Sequence, residues 1–457
     1  MDNRVAIVGR NSAKYVELLL EIWNNGDSAV LLDYHLPIKK VIEIIQDTSA
    51  SKCVVEKEIY DGWGDCIPSW ITFCVYSVDI AERIGINEMY FPKFKANYTD
   101  KEAVIIYSSG TTGRSKGIIL SHRAINTNAD SIIEYARITK DDCFYVIKSF
   151  THSSTLTGEL LVSLKTSAKL VIAHSSLSPQ MIVKELEQYS ATILCLNPVL
   201  LKMLADELSI RQHKLHALRS IYVSGEVIDE KNITRLREKI YKIPIYNVYG
   251  LSEAGPRVSA QTDSSNSINS VGKPIAGVSV VITNDKGFPV KKGESGIVNV
   301  DTPSRFLGYV TGHNKYKCIY LNWLNTGDIG WFDENNELYI TGRCDDLIIM
   351  EAHKIYPSDV EKYILQFQDV NDCVVFGVDI EERTIIACLY VANRTISRVE
   401  FNKELIKELM PYEIPKIYVK VNEIPTNTNG KTDKNEIYKV CHNYIMESKN
   451  HLSSEKQ

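Results

Sequence analysis

The segment Tyr107–Gly117, YSSGTTGRSKG, packs three glycines, five serine or threonine hydroxyls and two cations into eleven residues. Neither a core strand nor a helix is built from such a composition. A loop of this kind turns several backbone N–H groups toward one centre. Its glycines let the chain approach a ligand closely, and the hydroxyls and Lys116 add donors without bulk. The chemistry that fits is the binding of phosphate oxygens. The spacing is not that of a P-loop, because Lys116 stands three residues after Gly113 and is followed by Gly117. Further short polar motifs lie downstream: SGE at 224–226, NVYGLSEAG at 247–255, TGD at 326–328, TGR at 341–343 and PTNTNGKTDK at 425–434. Taken singly, Glu253 would be a surface carboxylate, Tyr249 a core tyrosine at a strand end, and Lys431 a solvated loop lysine.

The elements that position these motifs are legible as an alternation. RVAIVG reads as a short apolar strand. The next segment has Val16, Leu19, Leu20 and Trp23 at helical spacing, with Ser12 as its cap and Gly26 as its stop. SAVLLD, IKKVIEIIQD and SKCVVE continue as strand, helix and strand, which implies a parallel sheet covered by helices. The rhythm recurs from AKLVIA to LRSIYVSG. AVIIYSS and GIILS flank the glycine–hydroxyl loop as strands, and Ser121 caps the helix that follows. From about Ser270 shorter strands separated by turns predict an antiparallel sheet or small barrel. After Arg343 two helix–strand units follow, and the final residues 447–457 are polar enough to predict a disordered tail.

At 457 residues the chain exceeds one ordinary core. A net charge of -5 argues against a nucleic-acid binder, and no apolar run reaches membrane-spanning length. The start carries neither a signal-peptide nor a transit-peptide pattern. Ten scattered cysteines without a C-x-x-C pair predict free thiols in a reducing, cytoplasmic setting.

YSSGTTGRSKGIILSHRAI closely resembles the phosphate-loop signature of the adenylate-forming superfamily, which includes acyl- and aryl-CoA ligases, nonribosomal-peptide adenylation domains and luciferases. SGE, NVYGLSEAG, LNTGDIGWFDENNELYITGRCDDLI and IPTNTNGKTDKNEI follow in that superfamily's order, so the resemblance runs from about residue 4 to 440. It implies an α/β fold. A large N-terminal domain, residues 1–343, would hold two α/β subdomains and a small β-barrel-like subdomain. A hinge at 344–346 would lead to a small mobile α+β domain at 347–446. It implies ATP-dependent conversion of a carboxylic acid to acyl-AMP, then capture by a thiol of CoA or of a carrier protein's phosphopantetheine arm.

By that resemblance Ser108, Ser109, Gly110, Thr111, Thr112, Gly113 and Lys116 cradle the β- and γ-phosphates. Tyr249 lies against adenine, with Asn247, Gly250 and the Ser224–Gly225–Glu226 turn near the purine. Ser252 touches the α-phosphate and Glu253 holds Mg2+. Asp328 accepts from the ribose hydroxyls, Arg343 reaches ribose or phosphate, and Lys431 bridges the substrate carboxylate and the α-phosphate. Asp345 matches the hinge.

The acid is chosen near SFTHSS, where His152 and Ser153 would line the acyl pocket. Thr151, His152 and Ser153 carry no negative charge for a substrate ammonium. An aryl or a short to medium acyl acid is therefore expected, and a free α-amino acid only if Glu159 reaches in. An amino-acid-activating enzyme and a non-catalytic nucleotide- or acyl-binding paralogue are the alternatives. The chain departs from the superfamily pattern twice. Fewer residues precede RVAIVG, and DDLIIMEAHKIYP has Ile349, Glu351 and Ala352 where many CoA ligases have a lysine and two glycines.

Overall fold

The protein is described from a computed structural model covering residues 3–64, 67–68, 71–78, 87–89, 94–108, 116–173, 178–211, 215–225, 230–240, 243–265, 267–310, 323–350, 353–380, 383–426 and 431–454.

The opening strand, Arg4–Val8, alternates its faces as a buried strand must. Val5 and Ile7 enter one core, and Ala6 and Val8 enter another on the opposite side. It pairs in parallel with Ser28–Leu32 and with Lys52–Glu56. Among the described residues it lies within a seven-stranded sheet that runs, edge to edge, Gly308–Tyr309, Lys116–Ser121, Glu102–Ser108, Ser28–Leu32, Arg4–Val8, Lys52–Glu56 and Phe73–Tyr76. The chain crosses from one side of the opening strand to the other between Ser28–Leu32 and Lys52–Glu56. That topological switch opens a crevice at the carboxyl ends of the strands. The expected caps form: Ser12 Oγ accepts from Tyr15 N–H at 3.1 Å, and Ser121 Oγ accepts from Ala124 N–H at 3.1 Å.

A second, eight-stranded sheet has Cys143–Val146, Ile193–Leu196, Ser220–Val223 and Ile245–Gly250 as parallel neighbours near its centre. The largest core joins the two sheets. Ile106 and Ile118 of the first share it with Phe144 and Leu170 of the second, through Leu19, Ile125 and Leu160 of intervening helices. Helix Ile38–Thr48 covers the outer face of the first sheet, and Pro179–Gln188, Pro198–Arg211 and Glu230–Lys239 cover that of the second.

Where a small barrel was one expectation, the described strands Ser279–Thr283, Gly296–Asp301, Leu324–Phe332 and Leu338–Arg343 form a four-stranded antiparallel sheet. Residues from Ile348 onward bury their own cores around the hairpin Val370–Ile380 and Arg383–Ala392, to which Ile417–Val421 adds in parallel. The last helix spans Lys434–Ser454 and so enters the segment 447–457 where a disordered tail was expected. Met446 and Glu447 are good helix formers, and they extend a helix already held by the packing of Ile437 and Cys441.

Candidate active site

The carboxyl ends of both sheets, the antiparallel sheet and the last domain all face one cleft of about 1960 Å³. Its best-defined cluster comes from strand register. Asp328 and Arg343 are direct partners on neighbouring antiparallel strands. Arg343 Nη1 donates to Asp328 Oδ1 at 2.8 Å, and Tyr249 Oη donates to Asp328 Oδ2 at 2.5 Å. Asp328 N–H donates to Thr326 Oγ1 at 3.0 Å, which fixes the backbone beneath the carboxylate. Gly327 beside it has φ +73, and a Cβ there would come within 3.1 Å of the Arg343 guanidinium. Glycine therefore serves both the left-handed backbone and the close approach. Burial raises the Asp328 carboxyl above its ordinary value, against the opposing pull of Arg343, the Tyr249 bond and Lys431.

Tyr249 lies on strand Ile245–Gly250, whose register with Arg257–Ala260 shifts between Tyr249 and Gly250. This bulge and the following turn aim Ser252 and Glu253 into the cleft. A Cβ on Gly250 would stand 2.0 Å from Pro256 O, so the turn requires glycine there. Glu253 Oε1 accepts from Tyr309 Oη at 2.8 Å, and Phe306 N–H donates to Glu253 O at 2.9 Å. Ser252 Oγ and Ser153 Oγ are 2.8 Å apart.

Ser108 ends one strand of the first sheet and Lys116 starts the next, paired with each other across the ladder. Lys116 lines the cleft, its ammonium 5.7 Å from the ring centre of Tyr309. The intervening Ser109, Gly110, Thr111, Thr112 and Gly113 lie outside the described residues, as does Glu226. Ser224 and Gly225 follow strand Ser220–Val223 and line the cleft. Asn247 turns elsewhere: its Nδ2 donates to Ile268 O at 3.0 Å, and it is not among the residues lining the cleft.

Lys431 reaches the cleft from the last domain. The base of its loop is closed by an antiparallel bridge between Thr426 and Thr432 and by Asp433 N–H donating to Pro425 O at 2.8 Å. Its charge acts on both Asp328 and His152. Asp345 is exposed in the short turn Cys344–Asp346, and its neighbour Asp346 pairs with Lys434.

His152 precedes a helix that passes into a π-helical stretch, Leu156–Leu161. Burial, then the charges of Lys148 and Lys431, lowers the imidazole to about 4, which leaves it neutral at pH 7. Ser153 is buried beside it and lines the cleft. Glu159 is fully buried and does not line the cleft. Sequence reading did not single out Tyr309, Lys148 or Asn11. Asn11 carries a faint signal, a polar residue three positions after a buried strand, and Tyr309 carries none.

The comparisons with known proteins bear on the family and the fold. The family model described as AMP-binding enzyme matches residues 1–310, and that of the AMP-binding enzyme C-terminal domain matches residues 359–431. A feruloyl-CoA synthase of Amycolatopsis sp is 25% identical, over 95% of this chain and 88% of its own length. A 2-succinylbenzoate–CoA ligase of Enterococcus faecalis is 22% identical, over 95% and 87%. The crystal structure of ATP-bound MatB from Rhodopseudomonas palustris superposes with a TM-score of 0.84 at 23% identity, covering 96% of this chain and 88% of that one. The chain belongs to the AMP-binding enzyme family, the adenylate-forming superfamily, with its large N-terminal and small C-terminal domain.

Proposed function

We propose that this enzyme joins a small carboxylic acid to AMP at the expense of ATP, releases pyrophosphate, and passes the acyl group to the thiol of CoA or of a carrier protein's phosphopantetheine. The supporting observation is the meeting of Lys431 with the Asp328–Arg343–Tyr249 cluster and Glu253 in one cleft. A carboxylate attacks an α-phosphate against like-charge repulsion, and cations fixed in a partly dry cleft lower that barrier. Lys431 neutralises the two approaching anions, and Arg343 adds a second cation already oriented by Asp328. Asp328 then offers acceptor lone pairs to ribose hydroxyls, while Tyr249 presents a ring face beside it. Neutral His152 and Ser153 border the acid.

Glu253 suits a hard cation. It is a carboxylate 8% exposed, at the edge of the cleft and braced by Tyr309. Among the described residues no group of three or more histidine, cysteine or acidic side chains could hold a metal. Mg2+ would therefore rest on Glu253 with nucleotide oxygens completing its shell, where it would offset phosphate charge. We read residues 1–343 as the adenylating domain, 344–346 as the hinge and 347–446 as the moving domain that withdraws Lys431 before thiol capture.

Amino-acid activation ranks second, because Thr151, His152 and Ser153 offer no carboxylate and Glu159 stays out of the cleft, although Asp33 lines it. Among the described residues no helix is long and apolar enough to cross a membrane. ATP–pyrophosphate exchange driven by a panel of aryl, short-chain and amino acids tests the reading. Exchange with acids lacking an amino group is expected. Exchange with amino acids alone would replace it with the peptide-synthetase alternative.

A further inference from the structure

The proposed chemistry leaves one buried charge pair without a task. Lys148 follows strand Cys143–Val146 on a segment clamped by the first sheet: Asn11 Nδ2 donates to Lys148 O at 2.8 Å, and Phe150 N–H donates to Asn11 Oδ1 at 2.9 Å. The Lys148 ammonium stands 3.7 Å from Glu159 Oε1, with side-chain exposures of 13% and 1%. The lysine lines the cleft and the glutamate does not. At 3.7 Å the pair attracts across more than an ordinary hydrogen-bond length, and the Thr155 hydroxyl also acts on the Glu159 carboxylate.

The π-helical stretch Leu156–Leu161 carries Glu159 to this point, and such stretches gather at functional sites. Burial pushes the Glu159 carboxyl up to about 7, against the pull of Lys148 and Arg257. Near neutral pH the buried acid therefore only partly offsets the lysine. Lys148 and Lys431 both act on the His152 imidazole, while Asp33 opposes them. The substrate carboxylate and the α-phosphate occupy Lys431. A second cation remains at the acyl end, bordered by the hydroxyls of Ser149, Thr151 and Ser153. An aliphatic or plain aryl chain would bring no opposite charge to that ammonium and would leave it to the partial offset of Glu159.

We propose that Lys148, positioned by Glu159, selects acids that carry a second, anionic group on the acyl chain. This rests on the adenylation reading and names the class of acid for that same site. The anion would meet Lys148 while the reacting carboxylate meets Lys431, and the segment clamped by Asn11 would set the reach between them.

The test is ATP–pyrophosphate exchange with acids paired by size: succinate against butyrate, glutarate against valerate, and terephthalate against p-toluate. For at least one pair the wild-type enzyme is expected to favour the dicarboxylate by tenfold or more in kcat/KM. Lys148→Met should collapse that ratio toward one. Glu159→Gln should raise KM for the dicarboxylate with little change in kcat, as a positioning role requires. Because Lys148→Met leaves Glu159 buried alone, Lys148→Met/Glu159→Gln removes both charges and should give the same lost preference. A ratio is read within each protein, so a partly unfolded fraction does not distort it. Preference of the wild type for the monocarboxylate in every pair overturns the proposal, as does a dicarboxylate preference that survives both lysine variants. Absence of exchange with every acid, in a protein that is folded, overturns the adenylation reading and this inference with it.

Discussion

Tyr309 illustrates how far single residues depend on their neighbours here. Its hydroxyl braces the Glu253 carboxylate, and its ring lies beside Lys116, so it links the metal-binding candidate to the phosphate loop. Tyr309→Phe should lower the rate of exchange about tenfold and raise the Mg2+ concentration needed for half-maximal rate. An unchanged Mg2+ dependence would remove Tyr309 from the site. His152 and Glu159 give a pH signature of opposite signs. His152 falls from 6.5 to about 4 on folding, so between those values the unfolded chain takes up a proton that the folded chain refuses. Its contribution to stability is present above 6.5 and lost as pH falls toward 4. Glu159 rises from 4.5 to about 7, so the folded chain keeps a proton that the unfolded chain releases. Its contribution is present below 4.5 and lost as pH rises through 7. The two slopes oppose each other in the native protein. Chemical denaturation from about pH 4 to about pH 7.5 should show Glu159→Gln losing stability on acidification more steeply than wild type, and His152→Gln less steeply. Parallel curves for all three proteins would refute both assignments.

The strands and helices were largely readable, because their signals are local. Ser12 and Ser121 cap the helices they were expected to cap, and the alternating strand and helix pattern gives the parallel parts of two mixed sheets. Ser121→Ala should cost about 1 kcal/mol in denaturant unfolding. A smaller loss than a few tenths would show that His122–Ala136 is held by packing alone. The site motifs were legible as motifs, but not their geometry. Register sets Asp328 opposite Arg343, and a bulge at Tyr249–Gly250 directs Glu253. Neither register nor bulge is written in composition. Gly250→Ala would push a methyl group into the Pro256 carbonyl. It should cost on the order of 1–3 kcal/mol and abolish exchange. Stability equal to wild type would contradict the tight turn. Asn247 shows the converse: it stands in the right motif, yet it bonds to Ile268 O and Ser270 O and supports the strand. The acyl end was least legible, because Asn11 clamps the Lys148 segment from a distant part of the chain and the Lys148–Glu159 pairing follows no recognisable motif.

In the whole molecule the last domain brings Lys431 to a cleft built by the first. The pairing of Lys434 with Asp346 ties the start of the final helix to the turn beside Asp345. Asp346→Asn should loosen this orientation, slowing exchange a few-fold while sparing transfer from supplied acyl-AMP. Equal loss in both half-reactions would show a general structural role. The central claim is that Lys431 serves adenylation and is dispensable for thiol capture, and the two half-reactions of Lys431→Ala test it most directly. Pyrophosphate exchange is expected to fall on the order of a hundredfold to a thousandfold. Transfer of the acyl group from supplied acyl-AMP to the thiol should stay within a few-fold of wild type. Exchange at the wild-type rate, or an equal collapse of both half-reactions in a folded protein, would contradict the account.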